Sequence, residues 1–61
     1  MKTVYARDTE GQERLLALVR RDGGIVYVCP IDKYNQADEE ASLEFAIGFP
    51  VNDIREESTA S

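Results

Sequence analysis

The sequence predicts a small all-β or mostly β domain, five strands in a bent barrel with at most one short helix or 3₁₀ turn. Three observations carry that expectation. Residues 23–32 read Gly-Gly-Ile-Val-Tyr-Val-Cys-Pro-Ile-Asp, an apolar run bounded by a Gly pair and a Pro and too short for a helix. Residues 43–49 alternate apolar with polar or small, the period of a half-buried strand. Residues 12–21 lie between two Gly-bearing turn sequences of hairpin type.

Residues 2–7 alternate, with Val4 and Ala6 on one face and Thr3, Tyr5 and Arg7 on the other, and read as the first strand. Asp8-Thr9-Glu10-Gly11 suits a type I turn closed by a left-handed glycine. Residues 12–21 are ambiguous in isolation. Glu13, Arg14, Leu15, Leu16, Ala17 and Leu18 are strong helix formers, Thr9 and Gln12 have capping-box spacing, and Gly23 could end a helix. The strand is preferred because the flanking turns favour it, and because a helix would bury leucines on more than one side of a chain with little mass to cover them. Leu16 and Leu18 then face one way and Leu15, Ala17 and Val19 the other. In the next strand Ile25, Tyr27 and Cys29 oppose Val26 and Val28, so both faces need cover. Pro30, lacking an N–H, ends the pairing.

Residues 31–42 break the pattern. Asp32 can cap a short helix with Tyr34, Ala37 and Ala41 on one face, the alternative being a loop. In the strand over 43–49, Leu43, Phe45, Ile47 and Phe49 point inward and Ser42, Glu44, Ala46 and Gly48 outward. Pro50 opens a tight 3₁₀ turn that brings Val51 to Ile54, and residues 54–56 form a short last strand. The domain therefore spans residues 1–56, and 57–61 form a frayed polar tail. Hairpin, hairpin, irregular crossing, strand, 3₁₀ turn and short strand make an SH3-like order of parts. The likeness is architectural, with no family motif behind it, and closure of the barrel is expected to remove most exposed edges.

At 61 residues the chain buries only about 60% of its unfolded surface, so its stability is marginal unless something supports it. One Cys excludes an internal disulfide, and with no His a zinc site of the usual ligands is not expected. No cofactor is expected. No apolar run approaches the roughly 20 residues of a membrane span, and the N-terminal residues lack the apolar core of a signal peptide. The unpaired Cys and starting Met point to a cytoplasmic protein. The net charge is −5, and residues 31–61 hold eight of the twelve acidic side chains and two of the seven basic ones. Free nucleic acid is a poor partner for such a surface.

Little in the sequence reads as reaction chemistry. Cys29 has no His to act as its base and lies in an apolar strand, where a thiol behaves as a small buried hydrophobe. Asp38, Glu39, Glu40 and Glu44 match no calcium-loop spacing; they are better read as a solvated acidic face. Asp8 with Glu10, or Glu56 with Glu57, make no acid–base pair that the sequence brings to a cleft. Gly23-Gly24 is too short for a phosphate loop. The rings of Tyr5, Tyr27, Tyr34, Phe45 and Phe49 read as packing, with Tyr also favoured at protein contacts.

The expected function is therefore a non-enzymatic protein–protein interaction or assembly module. One alternative is an acidic inhibitor, in which Asp38, Glu39, Glu40 and Glu44 mimic nucleic acid toward a basic partner. Another is a small RNA- or DNA-binding barrel using Arg14, Arg20 and Arg21. The two-sided apolar hairpin adds an expectation of self-association as a homodimer, through Leu15, Leu16, Leu18, Val19, Val26 and Val28.

Overall fold

A computed structural model describes residues 1–56; the expected tail at 57–61 lies outside the described residues. Five strands form one antiparallel sheet: β1 (Thr3–Arg7), β2 (Glu13–Asp22), β3 (Ile25–Cys29), β4 (Ile47–Pro50) and β5 (Ile54–Glu56). Their spatial order is β4-β3-β2-β1-β5. A 3₁₀ turn at Ile31–Lys33 and a helix, α1 (Glu39–Leu43), make the crossing from β3 to β4, and a second 3₁₀ turn at Val51–Asp53 joins β4 to β5.

The first hairpin closes as its sequence predicts. Gly11 donates to the Asp8 carbonyl (3.0 Å) and takes φ +83°. The Asp8 carboxylate accepts from the amides of Glu10 (2.9 Å) and Gln12 (3.0 Å), an Asx turn that satisfies donors the ladder cannot reach. Residues 13–22 are a strand, so pairing on both sides overrides helix propensity here. The second hairpin turns on Gly23 and Gly24 between the paired Asp22 and Ile25, with Gly23 at φ +61°.

The sheet has an interior face. Val4, Ala6, Val26 and Val28 form its core, with Leu16, Leu18, Phe49 and Ile54 packed against them. A β-bulge makes this possible. Leu18 pairs with Val28 and Arg20 with Tyr27, so Val19 is the extra residue. Without that insertion Leu16 and Leu18 would share a face with Tyr27 and Cys29, because side chains alternate strictly along a strand. The bulge moves both leucines to the side of Val26 and Val28 and bends the strand.

The opposite face is covered only in part. Ala17 and Cys29 pair across β2 and β3 and are both fully buried. Since they point away from Leu18 and Val28, their cover comes from outside the sheet, and α1 packs on both strands there. Asp38 caps α1 by accepting from the Ala41 amide (3.3 Å), and Glu39 and Glu40 occupy its first turn, where the helix dipole favours negative charge.

Two expectations are corrected. The sheet is not closed, so the barrel is not complete. Closure would require β4 to pair with β5 along its outer edge. The Val51 amide donates to the Gly24 carbonyl (2.8 Å) while Pro50 lies opposite Ile25, which turns the Pro50 nitrogen and both Gly48 backbone groups away from β3. Pro50 has no N–H, so Gly48 is the one outward-facing donor of β4, too few to hold another strand.

The second correction concerns residues 43–49. The strand starts only at Ile47, because Leu43 belongs to α1 and the amides of Phe45 and Ala46 donate to Ser42 and Leu43 at its end. Capping by Asp38, rather than Asp32, and local turn bonds outcompete the alternating pattern. Ser42, expected outside, is fully buried; Phe45 and Ile47, expected inside, are 48% and 57% exposed.

Candidate docking groove

The open side of the sheet leaves a groove of about 320 Å³. Leu16 from β2, Val28 from β3 and Ile47 and Phe49 from β4 line it. All four share the interior face, since Val28 pairs with Ile47 and Val26 with Phe49. Pro30 also borders it, and Asp8 and Arg14 from the first hairpin supply its charged lining. The groove is thus a stretch of core face that none of the five described strands covers.

Small-molecule sites run from about 300 to 1,000 Å³ and enclose most of their ligand. This groove is at the lower bound and open, which suits a few side chains of another molecule better than a cofactor. Cys29 also borders the groove, although its side chain points to the other face of the sheet. Burial first, and the negative charge of Asp32 second, push the Cys29 thiol up from its ordinary pKa, so at neutral pH it stays protonated and weakly nucleophilic.

A second hollow of about 280 Å³ lies beside β1 and β5 and is polar. The chain's own ion pairs occupy its walls. Arg55 holds Glu13 with two bonds, Nε to Oε2 at 3.1 Å and Nη2 to Oε1 at 2.9 Å, and its guanidinium lies 4.5 Å from the centre of the Tyr5 ring. Arg7 reaches Asp53 at 3.5 Å. The bond from Arg55 holds the Glu13 carboxyl below the usual carboxylate range.

The remaining candidate residues fall in different places. Val26 and Val28 are sealed in the core, Leu16, Leu18 and Val19 are half-buried, and Leu15 is 37% exposed on the outer face. Asp38, Glu39, Glu40 and Glu44 are exposed along and beside α1 and make no ion pair among the described residues. No group of three or more His, Cys, Asp or Glu residues there is arranged to hold a metal ion. Arg14 and Arg21 stand near opposite ends of β2, and Arg21 donates to Glu56 at 2.6 Å. Lys2 binds the same carboxylate at 2.9 Å and, more than Arg21, holds its pKa down.

Sequence reasoning missed the groove because it took the barrel as closed. Pro50 on an edge strand was the available signal. Among the described residues no helix is long and apolar enough to cross a membrane. Comparison with protein-family models, with curated proteins and with solved structures finds no match to this chain.

Proposed function

We propose that the chain is a non-enzymatic interaction module, an open SH3-like barrel that takes apolar side chains of a partner protein into the groove between β2, β3 and β4. One observation carries this reading: on the interior face Ile47 is exposed and Leu16 and Phe49 are only half-buried, beside the buried Val28. Apolar surface left open beside a folded core favours contact with another molecule. A photo-crosslinking residue at Ile47 tests it in extract of the native host. Adducts identified by mass spectrometry are expected at position 47, absent from a control at Glu10, and lost when Phe49→Asp is added. No adduct, or equal adducts at both positions, overturns the reading.

A second reading is an acidic inhibitor that meets a basic protein through Asp38, Glu39, Glu40 and Glu44. Four exposed carboxylates with no ion pair among the described residues favour it. Neither reading gives the chain useful affinity for free duplex DNA at physiological salt, because nucleic-acid affinity comes from neutralising phosphates. Electrophoretic mobility shift checks this, and a specific complex that weakens steeply with salt would contradict both.

A further inference from the structure

We infer that the groove's occupant is a second copy of this chain, in a two-fold dimer where Ile47 of each copy packs against the other's groove and Asp8 of each faces the other's Arg14. This rests on the docking reading above and names its partner.

The groove supplies both halves of such an interface. A two-fold contact joins one patch to itself, so that patch must hold what is inserted and what receives it. Ile47 is 57% exposed and stands beside a hollow of about 320 Å³ that Leu16, Val28 and Phe49 also line. The charged lining meets the same condition. It consists of one acid, Asp8, and one base, Arg14, and neither makes an ion pair among the described residues. A patch of a single sign repels its own copy, whereas one acid and one base pair twice across the axis. A strongly charged partner of either sign gains nothing overall from such a lining.

The core of the chain gives a reason for the contact. Its sealed residues are small, Val4, Ala6, Val26 and Val28, while the bulkier Leu16, Leu18, Phe49 and Ile54 are only partly buried. A chain of 61 residues with one Cys has no internal disulfide to offset so small a core, and among the described residues no group is arranged to hold a metal ion. Association is the remaining support for a domain of this size. Burying Ile47 and completing the cover of Leu16 and Phe49 is favourable in proportion to the apolar area removed from water. Repulsion between two chains of net charge −5 is partly held away from this contact. Glu39 and Glu40 belong to α1, which packs over Ala17 and Cys29 on the face away from Leu16.

Equilibrium sedimentation of the whole chain tests the inference, together with amide chemical shifts recorded over a dilution series. A dimer in the micromolar range is expected, with dilution moving the amides of Leu16, Val28, Ile47 and Phe49 and not that of Leu15 on the outer face. Ile47→Asp, at an exposed position, is expected to weaken the dimer about tenfold or more and to leave the far-UV circular dichroism unchanged. Asp8→Asn, which can still accept within its turn, and Arg14→Gln are each expected to weaken it severalfold. The two together are expected to weaken it no more than one alone, the non-additivity of a direct pair. These variants leave the apolar face intact and decide the matter should Ile47→Asp unfold. A chain that stays monomeric throughout the micromolar range, while the crosslinker at position 47 captures a different protein, overturns the dimer and leaves the docking reading standing. A monomer with no adduct at position 47 overturns both. A dimer that Ile47→Asp, Asp8→Asn and Arg14→Gln all leave intact, or whose dilution shifts fall on the outer face, joins the copies elsewhere and overturns the inference.

Discussion

Ser42 does at one position what a longer helix would do with several. Its hydroxyl accepts from the Asn35 amide at 2.7 Å and lies 3.2 Å from the Asn35 carbonyl, to which it donates. The side chain is fully buried, so the bonds tie the loop before α1 to the helix from inside. Ser42→Ala leaves the Asn35 amide without this partner, and the loss of one such hydrogen bond costs about 0.5–1.5 kcal/mol. Urea unfolding is expected to show that loss, and an unchanged midpoint would mean that water replaces the hydroxyl. Cys29 is the contrasting case, a buried side chain held by packing alone. Cys29→Ala is expected to cost on the order of 1 kcal/mol, and thiol-reagent labelling of the native protein is expected to be far slower than in denaturant. The burial of Cys29 was legible in the sequence, because its place in an apolar strand is a local fact. Ser42 was not legible, since its burial depends on where Asn35 returns in space.

At the scale of elements, the turns were readable and the crossing was not. Asp8 to Gly11 and Gly23-Gly24 each satisfy a backbone requirement within four residues. In the second hairpin only Gly23 takes a left-handed φ, +61°, the pattern of a type II′ turn with Gly at its first central position. Gly23→Ala is therefore expected to destabilise by about 1–2 kcal/mol. Gly24→Ala, with open space where its Cβ would go and no positive φ, is expected to change stability far less. Equal losses at the two positions would contradict this turn assignment. The bulge at Val19 had no local signature. It is forced by the need to put Leu16, Leu18, Val26 and Val28 on one side, which only the assembled sheet defines. Residues 43–46 were misread as strand because alternation and helical capping coexist there, and Asp38 decides between them.

For the molecule as a whole, the fold class was legible from periodicity, but closure was not, because it depends on one edge strand and its single outward donor. An open sheet of this size leans on cross-strand ties at its rim. Glu13 with Arg55 joins β2 to β5, and Glu56 gathers Lys2 from before β1 and Arg21 from the far end of β2. Each pair is exposed, and such pairs individually contribute little, yet they set a direction with pH. Arg55 holds the Glu13 pKa below its ordinary value and Lys2 that of Glu56. With folded-state pKa values depressed, the unfolded chain binds protons first as pH falls. The stabilisation is full above the ordinary carboxylate pKa of about 4.3 and is lost as pH drops through the depressed folded values. A double variant tests this direction. In Glu13→Gln with Glu56→Gln, urea midpoints are expected to change less between pH 6 and pH 3 than in the parent, and the difference is expected to shrink in high salt. Parallel pH profiles for parent and variant would show that these rim pairs do not hold the open sheet together.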